Sequence, residues 1–354
     1  MDNCVRPSAR ELVMQHGWNA TAYQILNPGI DHWFSQQYEA VAGYTRRSQF
    51  LLAAGAPICS LDVLPQVVRE FEEFAASLNC KVCYVCAAER LRTILETSPE
   101  HSTIAIGAEP VWDPHHWPAI VEQRRSLRAQ LHRAKNKGVV IGFADARECR
   151  NNPDLHETLR EWVESRCLPP LHFLTEPETL QGESDGRRVL IATRDNRAVA
   201  FLVASPVVAR NGYLIEQIAR SPRAPNGTSE LLIDTAMRFF IKEGCTYATL
   251  GLVALSNKAP HAPNPPWLSA LMWLARSYAN RFYNFQGLER FRAKMSPDGW
   301  EAIYAISNER QFSPFALYAV GSAFAGISPW RALAIAVFHA LRTEWRSLRR
   351  AWLT

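Results

Sequence analysis

The chain has 354 residues, of which 47% are hydrophobic and 21% charged, with a formal net charge of +5. This composition excludes a disordered or fibrous chain and provides apolar material for two ordinary cores. A surplus of that size is too common to assign a polyanionic partner, so the distribution of charge must be read along the chain.

Met1 to Trp18 carries Asp2, Arg6, Arg10, Glu11 and His16 without an apolar run, which argues against a secretory signal or an N-terminal membrane anchor and predicts a cytoplasmic body. Ala40 to Thr45 and Gln49 to Ala54 are short apolar runs that predict strands. Leu61 to Leu78 has apolar residues at helical spacing, and Lys81 to Ala87 returns to strand. Cys80, Cys83 and Cys86 stand at metal-like spacing around this strand. Residues three apart on a strand point to opposite faces and the pattern lacks a fourth ligand, so buried free cysteines and no metal are expected.

A Pro-punctuated stretch from Glu109-Pro110 to Trp117-Pro118 precedes a segment of one sign. Arg124, Arg125, Arg128, His132, Arg133, Lys135 and Lys137 follow without an acid, a pattern that suits phosphate or, equally, a solvated helix face. The inter-domain boundary is placed at Lys135 to Gly138. Beyond it the same order of elements returns. Arg188 to Thr193 and Ala198 to Ser205 flank Arg194-Asp195-Asn196-Arg197 as a hairpin, and Tyr213 to Arg220 adds a strand. A helix from about Ser229 to Glu243 stops at Gly244, and Thr246 to Leu252 is again strand. Two copies of this order predict a tandem α/β protein of the acyltransferase type, with domains 1-136 and 137-311.

The remainder, 312-354, is expected to be a helical tail. From Phe315 to Leu341 its only formal charge is Arg331, and Arg342, Arg346, Arg349 and Arg350 then alternate with Trp345, Leu348, Trp352 and Leu353. Pro329 and Arg331 leave pieces too short for a hydrocarbon core of about 30 Å. The pattern fits an amphipathic anchor at a membrane surface, or a helix pair packed on the body or on a second copy in a homo-oligomer.

The densest polar information lies between Arg220 and Lys294. Glu216, Gln217 and Arg220 close a strand, and Pro222, Arg223, Pro225, Asn226 and Gly227 lead into a helix N-terminus, where N–H groups and the helix dipole favour an anion or a developing oxyanion. A coenzyme A pyrophosphate cradle would be glycine-rich here. Pro222 and Pro225 remove two N–H donors, so no coenzyme A and no other cofactor is expected. Asn226 or Thr228 could cap the helix, and Glu230, Asp234, Arg238 and Lys242 form a polar stripe at i, i+4 spacing. Farther on, Arg281 to Pro297 interleaves aromatics, amides and cations, with Arg292 and Lys294 suited to phosphate.

Three runs taken together resemble a known family. They are Ala224-Pro225-Asn226-Gly227-Thr228, Leu250-Gly251-Leu252-Val253-Ala254-Leu255-Ser256, and Arg281-Phe282-Tyr283-Asn284-Phe285-Gln286-Gly287-Leu288 with Phe291, Lys294, Pro297 and Trp300. In this order they resemble the catalytic domain of aminoacyl-phosphatidylglycerol synthases, the lysyl- or alanyl-phosphatidylglycerol transferases related to multiple peptide resistance factor, here in a stand-alone form without the flippase. The resemblance extends more loosely from about Trp18 to Tyr304. It implies a tandem GNAT-like (acyl-CoA N-acyltransferase-like) fold and transfer of an amino acid from aminoacyl-tRNA to a lipid hydroxyl. Where family members carry an Asp-Leu-Met-Arg run before Pro-Asn-Gly and a Met-Asp pair after it, this chain has Gln217-Ile218-Ala219-Arg220 and Ser229-Glu230.

Under that resemblance Lys294 and Arg292 contact phosphate or the oxyanion, Arg220 and Asn226 orient the donor, and Glu230 or Glu216 holds the amino group or acts as base. Gln217, Gly227, Ser256, Tyr283, Asn284 and Gln286 complete the substrate-binding set. Arg124, Arg125, Arg128, Arg133, Lys135 and Lys137 meet the aminoacyl-tRNA backbone, and the tail meets anionic membrane lipid on the inner face of the cell membrane. Two other readings are an acyltransferase using coenzyme A or a carrier-bound donor on a small amine, and a non-catalytic module that docks tRNA or membrane.

Overall fold

The computed structural model describes residues 7–165, 173–174, 179–180, 186–261, 264–278 and 285–325. In chain order the first half contributes α1 (Ala9–His16), β1 (Asp31–Phe34), β2 (Val41–Arg47), β3 (Phe50–Ala54), α2 (Leu64–Ser77), β4 (Lys81–Ala87), α3 (Glu89–Leu95) and β5 (Ser102–Trp112). Helices α4 (Trp117–Gln123) and α5 (Arg125–Asn136) follow. The second half contributes β6 (Val140–Ala144), α6 (Ala146–Asn151), α7 (Pro153–Glu164), β7 (Arg188–Arg194), β8 (Arg197–Val207), β9 (Gly212–Arg220), α8 (Thr228–Lys242), β10 (Tyr247–Thr249) and β11 (Val253–Ala254). Helices α9 (Pro266–Tyr278) and α10 (Phe285–Lys294), strand β12 (Gly299–Ser307) and helix α11 (Pro314–Ala325) close the described chain.

The repeated order expected from the sequence is present in both halves. Strands β2 and β3 pair antiparallel, and β3 pairs parallel with β4 across α2; β8 and β9 pair antiparallel, and β9 pairs parallel with β10 across α8. The β7–β8 hairpin turns at Asp195 and Asn196, both at positive φ, as a tight turn between right-twisted strands requires. Gly244, at φ 72°, ends α8.

The two halves share one twelve-stranded sheet, ordered β1-β2-β3-β4-β12-β5-β10-β9-β8-β7-β6, with β11 also on β5. Strand β12 lies between β4 and β5, so a strand from the end of the described chain completes the first half. Helices α4 and α5, although they precede residue 137, bury Trp117, Val121, Leu127, Leu131 and Ala134 in the core of the second half. Strand β5 joins the halves: one edge pairs with β12 and the other with β10 and β11. Of the strand expected from Thr246 to Leu252 only β10 forms; the chain turns at Gly251, φ 74°, and β11 begins beyond the expected end.

The six described cysteines, including Cys80, Cys83 and Cys86, are free and buried. The strict alternation expected of them does not hold. Cys80 packs in one core, whereas Cys83 and Cys86 share another, because Cys86 adopts φ 61° beside a register shift between β4 and β12. No helix among the described residues is long and apolar enough to cross a membrane.

Candidate active site

Strand β9 delivers Arg220 to its exposed end, where the Ser221 amide still pairs with the Val199 carbonyl. The chain then turns through Pro225, Asn226 and Gly227 into α8. Asn226 is exposed, and no side chain caps the helix; instead the Thr228 hydroxyl donates back to the Pro225 carbonyl at 2.7 Å. Gly227 is required twice over. Its φ is 94°, and a Cβ there would stand 2.1 Å from the Gln130 carbonyl oxygen of α5.

The polar stripe on α8 is buried at its N-terminal half, Glu230 and Asp234, and exposed at Arg238 and Lys242. Asp234 is buried and accepts from the Trp117 indole at 2.9 Å and from Arg238 Nε at 3.1 Å. Glu230, buried in the first turn of α8, lies 3.7 Å from Lys294 Nζ at the end of α10. Helix α10 is fixed at this end by the Met295 carbonyl, which accepts from the Trp112 indole at 3.2 Å. Arg292, one turn earlier, donates through Nη1 to the Gly251 carbonyl at 2.5 Å. Glu230 and Lys294 thus meet where the N-terminus of α8 meets the C-terminus of α10, and Arg292 reaches from the same helix end to the Gly251 turn instead.

The remaining expected residues have other partners. Glu216 points into the junction between the halves. Its Oε1 lies 2.9 Å from Arg187 Nε, at ion-pair distance without hydrogen-bond alignment, and its Oε2 accepts from Gln24 at 2.5 Å. Arg187 is held further by Asn27 and Ser205, and its guanidinium lies 5.0 Å from the Tyr23 ring centroid. Gln217, on the opposite face of β9, accepts from the Thr179 hydroxyl. Ser256 is buried and its hydroxyl accepts from the Lys258 amide at 3.3 Å. Gln286, on α10, accepts from Arg290 at 3.1 Å. Tyr283 and Asn284 lie outside the described residues, as does the expected tail from residue 326 onward.

Helix α5 carries the basic segment. Its apolar stripe packs on α8, leaving Arg124, Arg125, His132, Arg133, Lys135 and Lys137 exposed and Arg128 half-buried, donating to the Val121 carbonyl at 3.3 Å. The contact of Gln130 with Gly227 places this helix directly behind the Pro-Asn-Gly turn.

Sequence reasoning missed a second polar cluster. Glu109 of β5 is buried and accepts from the Tyr247 hydroxyl at 2.7 Å. Arg210 lies 3.7 Å from the Tyr247 ring centroid and grips Glu301 of β12 through both terminal nitrogens, at 2.7 and 2.6 Å. Burial pushes the Glu109 carboxyl above its ordinary range; the Tyr247 hydroxyl opposes the shift, Glu301 adds to it, and Arg210 and Arg292 oppose it. Burial, then the Glu109 charge, holds the Tyr247 phenol well above its usual value. Only the alternation of Glu109 with apolar neighbours in β5 hints at its burial in sequence.

A continuous sheet built from two copies of a strand-strand-helix-strand unit, with a polar centre at the N-terminus of the second crossover helix, defines a tandem GNAT-like α/β protein. The profile of the family described as "Phosphatidylglycerol lysyltransferase, C-terminal" matches residues 10–307, and the chain belongs to that family. Phosphatidylglycerol lysyltransferases of Staphylococcus epidermidis and Staphylococcus aureus are 19% and 18% identical to it over 83% and 84% of its length. The chain spans about a third of those proteins, 35% of each. Among solved structures, L-PGS from Bacillus licheniformis superposes with a TM-score of 0.73 at 18% identity, covering 90% of this chain and 96% of that one. FemX superposes at 0.52 with 9% identity, covering 89% and 98%. At these identities the superpositions establish the fold alone.

Proposed function

We propose that the chain is a tRNA-dependent aminoacyltransferase that moves an amino acid from aminoacyl-tRNA to the hydroxyl of a lipid such as phosphatidylglycerol. The observation that carries this reading is the meeting of Lys294 with Glu230 at the start of α8, with Arg292 of the same helix at the Gly251 turn, backed by the acid-free face of α5. Family membership supports the lipid acceptor. The basic face supports a nucleic-acid donor, because exposed arginines and lysines on one helix side match a phosphate backbone.

The reaction is a transesterification. The lipid hydroxyl attacks the carbonyl carbon of the aminoacyl ester, negative charge develops on the carbonyl oxygen, and the tRNA terminal ribose leaves. Lys294 and Arg292 supply positive charge to the oxyanion or to the lipid phosphate. Glu230 holds Lys294 in place and, with Arg220 and Asn226 at the turn, orients the donor. Glu216, engaged by Arg187 and Gln24, shapes the donor side from the junction. The second half carries the chemistry, and the first, completed by β12, supports it. Exposed Trp267, Trp273 and Phe315 suit a peripheral contact with the inner membrane face.

The test separates this reading from coenzyme A chemistry and from a binding module. Labelled aminoacyl-tRNA should yield labelled lipid, whereas the free amino acid and an acyl-coenzyme A should not. Transfer from coenzyme A, or tRNA binding without turnover of any donor, would favour one of the other two readings.

A further inference from the structure

At the junction of the halves a small cavity of about 20 Å³ is lined by Asn19, Thr21, Cys86, Glu109, Arg210 and Glu301, among others. It has room for roughly one hydroxyl or water. Glu109 is only 4% exposed, yet of its carboxyl oxygens only Oε1 takes a hydrogen bond, from Tyr247; among the described residues Oε2 accepts none. The Thr21 hydroxyl on the same wall is buried without a partner. A buried hydroxyl without a partner calls for an explanation, and a small polar group seated in the cavity between it and Glu109 Oε2 would supply one.

The surrounding backbone departs from regular sheet at the same point. Cys86 takes φ 61°, and β12 shifts register against β5 between Ile303 and Tyr304 and against β4 between Tyr304 and Ala305. Such bulges re-aim strands beside functional sites. Leu252 also lines the cavity and follows Gly251, whose carbonyl receives Arg292. The cavity therefore adjoins the turn that holds Arg292, whose charge acts on Glu109.

Charge narrows the class of ligand. Glu301, opposite Glu109 in the β5–β12 register, is neutralised by Arg210 through two hydrogen bonds. The charged and titratable groups facing Glu109 are Tyr247 from β10, Glu301 from β12, Arg210 from the segment between β8 and β9, Arg292 from α10 and Cys86 from β4. Two carboxylates against two guanidiniums leave no net charge to attract an ion, so the open position at Glu109 Oε2 suits a neutral hydrogen-bond donor the size of a hydroxyl.

We propose that Glu109 is the general base of the transfer and that this cavity seats the acceptor hydroxyl; the proposal rests on the aminoacyltransferase reading above. As the hydroxyl oxygen bonds to the ester carbon, its O–H bond breaks and the proton passes to Glu109 Oε2. The tetrahedral intermediate collapses by breaking the bond to the ribose oxygen, which takes the proton back from Glu109. The carboxylate is restored and no further reactant is consumed. The raised affinity of Glu109 for protons is in the direction a general base needs, and Tyr247 keeps the carboxyl oriented.

The experiment is single-turnover transfer from aminoacyl-tRNA to phosphatidylglycerol vesicles across pH, with wild type, Glu109→Gln and Glu109→Asp. Gln still accepts from Tyr247, so a purely structural role predicts little change. The expected result is a fall of roughly 10²–10⁴-fold in the chemical step for Glu109→Gln, with loss of the acid limb of the wild-type profile and unchanged tRNA binding, and partial activity in Glu109→Asp. Transfer by Glu109→Gln at the wild-type rate, or a slower rate with the acid limb intact, overturns the proposal. Absence of transfer by the wild type overturns the aminoacyltransferase reading instead, and this proposal with it. An infrared titration of the free protein reads the carboxyl independently: a carboxylic acid band that persists above the ordinary range and vanishes in Glu109→Gln is expected, and one titrating in the ordinary range refutes the assignment.

Discussion

Gly227 and Gln130 are in backbone contact, so close that a single added carbon at residue 227 would meet the Gln130 carbonyl oxygen at 2.1 Å. The contact joins the turn that opens α8 to the helix that carries the basic face. Gly227→Ala is expected to lose about 1–3 kcal/mol from the left-handed backbone alone, with a further loss as α5 is displaced. Thermal unfolding checks this; an unchanged melting temperature would show that the turn relaxes freely.

Lys294→Ala separates chemistry from support. Lys294 is a third exposed, so its pairing with Glu230 should contribute under about 1 kcal/mol to stability. A fall in transfer of roughly 10²-fold or more with nearly unchanged unfolding is expected. Equal rates for variant and wild type would remove Lys294 from the mechanism.

The Arg187–Glu216 pair behaves in the opposite way. Their side chains are 1% and 9% exposed, so Glu216→Gln removes a negative charge from beside a buried guanidinium, at a cost of up to about 3–5 kcal/mol. Replacing both, as Arg187→Met with Glu216→Leu, should recover most of that loss in denaturant unfolding. No recovery would mean that Asn27, Ser205 and Gln24 contribute more than the ion pair does.

Glu109 also sets a pH dependence of stability. A carboxyl whose folded value is raised favours folding below its unfolded value, and that contribution is lost as pH rises through the folded value. Wild type should therefore lose stability relative to Glu109→Gln as pH rises from the acid side toward neutrality. Parallel curves for the two proteins would contradict the raised affinity.

Salt dependence reads the α5 face. Arg125→Ala, Arg133→Ala and Lys135→Ala remove exposed cations without touching the stripe on α8. Each should weaken tRNA binding and reduce the slope of log affinity against log salt by about one. Slopes unchanged in all three would place the tRNA elsewhere.

Local order was readable where one segment carries its own signal. The β7–β8 hairpin, α8 with its Gly244 stop, and β4 lie within a residue or two of their expected bounds. What was not readable depends on residues far apart in the chain. β12 finds its place between β4 and β5 only in three dimensions, and Tyr247 meets Glu109 across 138 positions. Glu230 illustrates both limits. Its spacing from Asp234 marked a polar stripe, but the burial of that stripe's N-terminal half and the approach of Lys294 from α10 depend on the fold.

The most direct test of the account supplies the protein with a mixture of labelled aminoacyl-tRNAs and phosphatidylglycerol vesicles and identifies labelled lipid by mass spectrometry. An aminoacyl ester of phosphatidylglycerol, formed by the wild type and lost in Lys294→Ala, is expected. No labelled lipid with any donor would contradict the account.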